Sequence, residues 1–339
     1  MDIYRLMKYA RRVKSPRLKM LGLWAMHVCR RRYLGLFFDP VLACNLQCRM
    51  CYFSDPERRK TLHGVMPIER VRQLADGLFH RALKLQIGCG AEPTLYKDLP
   101  EVVRLAKQKQ VPYISITTNG NLLTTEKLKA LIAAGLDEMT LSVHGLTKTT
   151  YETLMQGATF ERFLCLLESI KVVRQKHPAF KVRINYTMNT DNVDDLALFP
   201  KLFRDVPIDV LQLRPVQKIG NSAYTDFSTD HILEVYDSVI APLVAHCKTL
   251  GITCLVPSKA AITTLPDDTP FLEKEVYDMT YCNIEPTGWN EDYDLEHDTF
   301  ETYSRRTHRA RRMLKMVFCG AEKEKGGKGK TKKMIYDVK

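Results

Sequence analysis

From about residue 36 to residue 220, short apolar runs alternate with longer segments in which apolar residues recur every three or four positions. The apolar runs end in turn residues and predict strands, whereas the longer segments predict amphipathic helices. The predicted strands are Leu36–Leu42, Leu83–Gly88, Tyr113–Thr118, Glu138–Val143, Lys181–Met188 and Val210–Leu213. The predicted helices are 67–82, 98–110, 124–135, 148–177 in two pieces, and 193–204. Strands that alternate with helices indicate a parallel sheet.

This alternation predicts an α/β fold, and six strand–helix units favour a partial (β/α)6 barrel of the TIM type. A doubly wound sheet is the alternative topology. The predicted regions are a basic helical extension (1–35), the barrel core (36–220), a C-terminal extension covering the barrel (221–318) and a basic flexible tail (319–339). Within the extension we expect a helix at 229–249, a short strand at Ile252–Val256 and an irregular acidic segment at 266–303.

Composition narrows the class of protein. The 339 residues are 45% hydrophobic and 27% charged, as in soluble globular proteins, which excludes a wholly disordered chain. No apolar window is long enough to span a membrane, and no segment has the pattern of a cleaved signal peptide. Ten cysteines in a chain without a secretory signal favour metal or redox chemistry over a disulfide framework. We therefore predict a cytoplasmic location.

The net charge of +12 is concentrated at the two ends of the chain. Residues 1–33 carry +9 and residues 304–339 carry +10, which leaves −7 for the part between them. Basic ends favour an anionic partner over a role in the chemistry of the central part. No nucleic-acid-binding motif accompanies them, so nucleic acid is an unlikely partner.

A helix at 17–29 would place Leu18, Leu21, Ala25 and Val28 on one face, with basic residues at both ends. One interpretation is a helix that closes the bottom of the barrel. The other is an amphipathic helix in residues 1–33 that binds anionic lipid at the inner face of a membrane. The basic stretch 305–315 has two similar interpretations, a solvated face or a binding surface for an anionic partner.

Cys44, Cys48 and Cys51 follow the first predicted strand with the spacing Cys-x3-Cys-x2-Cys. Three cysteines so close together on one loop can present three thiolates to one metal centre. A structural zinc site needs four ligands, whereas three thiolates suit a [4Fe–4S] cluster with one open iron. The alternative is three cysteines buried in a helical turn.

The Cys-x3-Cys-x2-Cys loop resembles the hallmark of the radical SAM superfamily. The resemblance implies that the three cysteines bind a [4Fe–4S] cluster. It also implies that Met50, at a position usually aromatic in the family, contacts the adenine of S-adenosylmethionine. In this family the reduced cluster cleaves S-adenosylmethionine, and the resulting 5′-deoxyadenosyl radical abstracts hydrogen from a substrate.

The segment Gly88-Cys89-Gly90-Ala91-Glu92-Pro93 resembles the Gly-Gly-Glu-Pro motif of the same family. The resemblance implies that the backbone of Gly90 and Ala91 and the carboxylate of Glu92 bind the methionine part of S-adenosylmethionine. Taken alone, this segment could be an ordinary turn. We interpret Cys89 as a small buried residue and not as a fourth ligand, because a fourth ligand would close the cluster.

Further polar residues follow the third and fourth predicted strands. By resemblance, Thr118, Asn119 and Ser142 match the family positions that bind the ribose and the methionine carboxylate. Asn119-Gly120 is also a turn signal. His144 lies where many relatives have Asp, and it could act as an acid or base or be a satisfied histidine at a strand end.

The fifth and sixth predicted strands add weaker candidates. Arg214 and Gln212 share one face of their strand, and by resemblance Arg214 would bind S-adenosylmethionine. Arg183 is a rival partner for its carboxylate. Tyr186 and Asn185 could line the substrate side, and Tyr186 is, with His144, a candidate catalytic residue.

Cys247, Cys254, Cys282 and Cys319 follow the core without Cys-x2-Cys spacing. They could hold a second cluster if the fold gathers them, and otherwise are buried or incidental thiols. The resemblance implies a flavodoxin- or ferredoxin-type reductant. For the substrate we favour a peptide or protein, with a lipid or lipid-linked molecule as the alternative. A non-catalytic metal-binding adaptor for an anionic partner is the competing class of function.

Overall fold

The computed structural model describes residues 12–263, 271–289, 292–318 and 337–338. The strands are β1 Leu34–Phe38, β2 Ala82–Ile87, β3 Ile114–Thr118, β4 Glu138–Val143, β5 Lys181–Met188, β6 Val210–Pro215, β7 Thr253–Val256, β8 Tyr281–Ile284 and β9 Asp337–Val338. The helices are α1 Pro16–Val28, α2 Pro56–Thr61, α3 Ile68–Leu78, α4 Leu99–Gln108, α5 Thr125–Ala134, α6 Lys148–Leu154, α7 Phe160–Lys176, α8 Phe199–Leu202, α9 Asp230–Glu234, α10 Ala241–Thr249, α11 Lys259–Thr263, α12 Phe271–Asp278, α13 Phe300–Arg306 and α14 Arg309–Phe318. Most of the predicted tail, 319–339, lies outside the described residues.

All strands belong to one sheet in the order β8-β1-β2-β3-β4-β5-β6-β7-β9. Strands β1 to β8 are parallel, and β9 pairs antiparallel with β7. Because neighbouring strands follow each other along the chain from β1 to β7, right-handed crossovers place the connecting helices on one face. A doubly wound sheet would reverse its direction in the middle. The partial barrel is therefore confirmed, and among the described residues the sheet is open between its edge strands β8 and β9.

The two faces of the sheet differ in polarity. The face that packs into the main hydrophobic core with the helices, here called the outer face, is almost entirely apolar. Its side chains include Leu36, Phe38, Leu85, Ile87, Ile116, Met139, Leu141, Val143, Ile184, Tyr186, Leu211 and Leu213. The inner face alternates with it and carries Lys84, Gln86, Ser115, Thr117, Glu138, Thr140, Ser142, Arg183, Asn185, Thr187, Gln212 and Arg214. A closed TIM barrel fills its interior with branched apolar residues, so this polar inner face indicates space for a ligand.

The prediction of an irregular segment at 266–303 is wrong for its described residues, which contain α12, β8 and the start of α13. Strand β8 has four residues and pairs with β1, far away in the sequence. So short a strand has no periodicity of its own to reveal it, and its pairing partner decides its structure. Residues predicted as an extension thus supply β7 and β8 to the sheet.

Helix α1 begins at Ser15, whose side chain accepts a hydrogen bond from the backbone N–H of Leu18. It packs against α14 on the side of the sheet where the strands begin. Arg81, which precedes β2, is buried there and lies 5.6 Å from the ring centre of Tyr33 and 5.2 Å from that of Phe300. This end of the barrel is therefore closed by packed side chains, as one of the two interpretations of the helix expects.

Candidate active site

The loop that carries Cys44, Cys48 and Cys51 follows β1 and is held by backbone hydrogen bonds. The N–H of Gln47 donates to the carbonyl of Gln156, and the N–H of Arg49 donates to that of Leu154, both at 2.9 Å. The carbonyl of Arg49 in turn accepts a 2.9 Å bond from the N–H of Tyr224. The loop is thus fixed from two sides, so its three thiols are positioned by the fold.

The three thiols lie close enough to influence one another. Burial, together with the charges of Glu92 and Cys51, raises the pKa of Cys44 to about 11. Burial also raises the pKa of Cys48, and the charges of Cys51 and Cys44 raise it as well. The pKa of Cys51 is likewise raised by burial. A thiolate binds metal, so metal binding here would displace protons from all three cysteines.

The chemistry of these donors fits a cluster better than a single ion. Among the described residues, no three His, Cys, Asp or Glu side chains converge on one point as a single metal ion requires. A [4Fe–4S] cluster does not require this, because each cysteine binds a different iron. Cys44, Cys48 and Cys51 can therefore hold three irons and leave the fourth open for another ligand.

Asp39, one residue beyond β1, holds the Gly-Cys-Gly-Ala-Glu segment in place. Its Oδ1 accepts hydrogen bonds from the backbone N–H groups of Cys89 at 2.8 Å and Ala91 at 3.3 Å, and its Oδ2 accepts one from Gly90 at 3.0 Å. Burial raises the pKa of the carboxyl group, and these three bonds oppose that shift. Sequence analysis missed Asp39 because the predicted strand Leu36–Leu42 included it, whereas β1 ends at Phe38.

Gly88 and Gly90 allow the close approach of this segment to its neighbours. Gly88 has a φ of +79°, and a Cβ atom there would lie 2.4 Å from the carbonyl oxygen of Thr117. A Cβ at Gly90 would lie 2.7 Å from the hydroxyl of Tyr52, which donates to the Gly90 carbonyl. The segment therefore needs glycine at both positions.

The carboxylate of Glu92 connects this segment to the end of β3. Its Oε1 accepts from the hydroxyl of Thr118 at 2.6 Å and from that of Thr94 at 2.5 Å, and its Oε2 accepts from the backbone N–H of Asn119 at 2.8 Å. Burial raises its pKa, and these bonds favour the charged form. The predicted site residues Glu92, Thr118 and Asn119 are thus brought together, with the carboxylate directed at the protein.

Asn119 extends these contacts to the cysteine loop. Its Nδ2 donates to Oδ1 of Asn45 at 2.9 Å and lies 3.9 Å from Sγ of Cys44. Gly120, with a φ of +77°, completes the expected turn. Asn119 therefore serves both as a turn residue and as a link between two of the predicted motifs.

Two of the predicted residues point away from the inner face. Met50 is buried against Leu154 and Tyr224, and its sulfur lies 2.8 Å from Nδ2 of Asn189. Tyr186 lies in the outer-face core and donates its hydroxyl to the carbonyl of Asn192 at 2.7 Å. This placement gives Tyr186 a packing role and does not bring it to the other site residues.

The other predicted site residues lie on, or directly after, strands β4, β5 and β6. Ser142 and Asn185 are register partners on β4 and β5. His144 follows β4, and burial lowers its pKa to about 4, with the positive charge of Arg214 adding to the effect. Its Nδ1 is buried without a hydrogen-bond partner in the described part of the chain. A neutral His144 is thus available to a ligand that brings a hydrogen-bonding group.

In the described part of the chain, the remaining cysteines do not lie together in one site. Cys89 is exposed, so the expectation that it is buried is wrong, because the turn at Gly88 directs it out of the core. The thiols of Cys247 and Cys254 contact each other in the core between α10 and β7. Cys282 is buried on β8, at the opposite edge of the parallel strands, and Cys319 lies outside the described residues.

The described residues form an open parallel barrel of the α/β class with a loop of three cysteines after its first strand. Residues 40–198 match the Radical SAM superfamily. Residues 40–198 therefore form a radical SAM domain, and proteins of this superfamily use a [4Fe–4S] cluster and S-adenosylmethionine.

Curated relatives share the core of the chain. The probable GTP 3′,8-cyclase of Saccharolobus solfataricus is 28% identical over 199 residues, which are 58% of this chain and 61% of that protein. The protein of the same name from Metallosphaera sedula is 29% identical over 203 residues, 59% of this chain and 61% of that protein. The matched part thus spans about three fifths of the length of these relatives.

Solved structures share the fold. The structure of anSMEcpe with bound AdoMet has a TM-score of 0.58 at 17% identity and covers 84% of this chain and 80% of that one. Streptococcus suis SuiB bound to precursor peptide SuiA has a TM-score of 0.56 at 16% identity, with 98% of this chain and 69% of that one covered. At these identities the likeness concerns the arrangement of strands and helices.

Proposed function

We propose that this chain is a radical SAM enzyme that abstracts hydrogen from a peptide or protein substrate. In this proposal Cys44, Cys48 and Cys51 hold the [4Fe–4S] cluster. When bound, the cluster supplies the electron that cleaves S-adenosylmethionine to the hydrogen-abstracting 5′-deoxyadenosyl radical. The observation that carries the proposal is the contact of the three-cysteine loop, through Asn119, with the Glu92 segment at the carboxyl ends of β1, β2 and β3.

The protein's own residues would supply position and orientation. Asp39 fixes the backbone of residues 89–91, and Glu92 fixes that segment to β3, so neither side chain must move when a ligand binds. Such preorganisation lowers the cost of binding. Arg214, exposed on the inner face near His144, is available for a carboxylate of S-adenosylmethionine.

The preference for a peptide rests on the shape of the sheet and on two proteins of similar fold. The described sheet is open between its edge strands β8 and β9, which leaves the polar inner face open from the side, as an extended substrate requires. SuiB was solved with precursor peptide SuiA, and anSMEcpe with the Cp18Cys peptide. The relatives named as probable GTP 3′,8-cyclases make a nucleotide the alternative substrate.

The test is anaerobic reconstitution of the full chain, followed by assays of iron and of 5′-deoxyadenosine. We expect about four irons per chain and S-adenosylmethionine cleavage in the wild type, and neither after Cys44, Cys48 and Cys51 are all replaced by Ala. Cys165→Ala, at an exposed cysteine on α7, is the matched control and should keep both. One zinc and no iron in the wild type would instead support the metal-binding adaptor.

A second proposal concerns where the enzyme acts, and it rests on α1. Its outward face carries Leu18, Leu21 and Val28, which are 61%, 39% and 53% exposed. Arg17 and Arg30 are exposed at its two ends. Exposed apolar side chains flanked by basic ones suit the surface of an anionic membrane. Among the described residues, no helix is long and apolar enough to cross a bilayer.

Vesicle sedimentation tests this surface. The wild type should bind vesicles that contain phosphatidylglycerol better than vesicles of phosphatidylcholine alone, and Leu18→Ser with Leu21→Ser should weaken that binding about tenfold. Leu164→Ser, at an exposed leucine on α7, is the control and should bind like the wild type. Equal binding by all three variants would contradict the proposal. The basic residues at the two ends of α1 would also suit an acidic partner, such as a flavodoxin- or ferredoxin-type reductant.

A further inference from the structure

Lys84 is a cation on the inner face of β2, in the middle of the sheet. Its neighbours across the strands are Gly35 on β1 and, beyond Gly35, Tyr281 on β8. Gly35 has no side chain, and the rings of Phe37 and Tyr281 lie 3.7 Å and 3.9 Å from the point where its Cβ would be. Lys84 lies four residues before the Gly88–Pro93 segment but is not part of it, and the proposed radical chemistry gives it no role.

The hydrogen bonds of Lys84 leave its charge without a carboxylate partner among the described residues. Its Nζ donates to Oε1 of Gln86 at 2.8 Å, and Nε2 of Gln86 donates to the hydroxyl of Thr117 at 3.1 Å. Nζ also lies 5.8 Å from the ring centre of Phe37. An amide and an aromatic face orient an ammonium group but do not neutralise it.

The nearby carboxylate is already paired. Oε1 of Glu138 lies 2.8 Å from Nη2 of Arg183, and Tyr113 donates its hydroxyl to the same carboxylate. Arg183 also donates to Oε1 of Gln212 at 3.2 Å. The inner face of β2, β4 and β5 thus has two positive side chains, Lys84 and Arg183, and one negative side chain, Glu138. The central part of the chain, in contrast, has a negative net charge.

An aromatic wall stands next to this cation. The rings of Phe37 and Tyr281 stack with centres 5.0 Å apart, and those of Tyr281 and Tyr277 stack at 4.0 Å. Tyr281 is exposed on the inner side, at the edge where the sheet is open. A ligand that enters at the β8 edge of the sheet would meet this wall before it reaches Lys84.

We propose that Lys84 binds an oxyanion of the substrate, a carboxylate or a phosphate, while Tyr281 packs against the adjoining apolar part. This inference rests on the proposed function and names the substrate chemistry of the same site. An ammonium group that is hydrogen-bonded only to an amide can bind an anion without first breaking an ion pair within the protein. Lys84 is therefore a residue that determines specificity and has no part in forming the radical.

The charge state of Lys84 supports this role at neutral pH. Burial lowers its pKa to about 8, and Arg183 lowers it too, while Glu138 and Cys89 oppose the shift. The amine is thus protonated at pH 7 and loses its proton as the pH rises through about 8. Anion binding should weaken over that range, whereas an ordinary lysine keeps its charge to higher pH.

The test is calorimetric titration of the reconstituted, S-adenosylmethionine-loaded chain with two probes, glutarate and inorganic pyrophosphate. We expect the wild type to bind at least one of them, with affinity falling at least tenfold in Lys84→Met and largely kept in Lys84→Arg. Lys171→Met, at an outer-helix lysine paired with Glu168, should match the wild type. Tighter glutarate binding supports an acidic peptide, and tighter pyrophosphate binding supports a nucleotide.

Two results would overturn the inference: no binding of either probe by the wild type, or equal binding by Lys84→Met. Formation of 5′-deoxyadenosine in the same samples separates this failure from failure of the proposed function. If the wild type and Lys84→Met both cleave S-adenosylmethionine but bind the probes equally, the role of Lys84 alone is excluded. If the wild type does not cleave it, the proposed function fails first.

Discussion

The two ends of the sheet both bury charged side chains, but they use them for different purposes. At the carboxyl ends of the strands, Asp39 and Glu92 accept hydrogen bonds from the backbone of loops. At the amino ends, Arg81 and Arg309 lie over the ring of Phe300 at 5.2 Å and 5.4 Å. Charge at the first end fixes the shape of loops that can bind a ligand, whereas charge at the second closes the core. Function and stability are therefore separable by mutation.

The largest expected effect is on stability, from Arg81→Met at the amino end. Arg81 is 2% exposed, donates to the carbonyl of His27 at 3.1 Å and pairs with Glu301. Its loss should lower the free energy of unfolding by about 2–4 kcal/mol, because the buried carbonyl of His27 loses its donor and Glu301 keeps only His80. Urea unfolding followed by circular dichroism measures this.

A matched control for Arg81 is Arg104→Met, at a half-exposed arginine paired with Glu101. Its effect should be below about 1 kcal/mol. S-Adenosylmethionine affinity should be unchanged in both variants when they are folded. A large loss of affinity in Arg81→Met would show that the two ends are coupled and would break the comparison.

The next effect is on ligand binding, from Asp39→Asn at the carboxyl end. An amide presents an NH2 group where the carboxylate accepts backbone N–H bonds, so residues 89–91 should lose their fixed shape. We expect about a tenfold weaker affinity for S-adenosylmethionine with the iron content retained, measured by equilibrium dialysis. Asp76→Asn, at an exposed aspartate, should have no effect. Unchanged binding in Asp39→Asn would remove Asp39 from the site.

The smallest effect concerns pH. Burial, with Arg81 and Arg309, lowers the pKa of His27 to about 4. His27 therefore becomes protonated near pH 6.5 in the unfolded chain but only near pH 4 in the folded chain. Protonation thus favours the unfolded chain, so stability should fall as the pH decreases through this range. The slope should be smaller in His27→Gln, measured by thermal unfolding at several pH values. An identical slope would show that other groups cause the acid sensitivity.

Sequence reasoning identified the parts of the fold that local patterns encode. Strands β4 and β5 have the predicted bounds, because β4 is a run of mostly buried residues, β5 alternates in burial, and both are followed by turn residues. Strand β8 was missed because four residues acquire strand structure from pairing with β1. The partial barrel was predicted from six strand–helix units, but the position of β8 beside β1 was not, because it depends on pairing between strands far apart in the sequence.

The site was predicted to the extent that its residues stand in contiguous motifs. Cys44, Cys48 and Cys51 share one loop, and Glu92, Thr118 and Asn119 meet as expected. Asp39 was missed because its partners are backbone N–H groups 50 residues away. Lys84 was missed because it stands as a single charge in a predicted apolar strand. Its position on the inner face, next to Gly35, is evident only once the strands are paired.

The central claim is that the carboxyl end of this sheet holds a cluster whose open iron accepts S-adenosylmethionine. Electron paramagnetic resonance of the reduced, reconstituted chain tests it most directly. We predict the signal of a reduced [4Fe–4S] cluster that changes shape when S-adenosylmethionine is added and is absent after Cys44, Cys48 and Cys51 are replaced by Ala. A signal that S-adenosylmethionine leaves unchanged, or one that survives these replacements, would contradict the account.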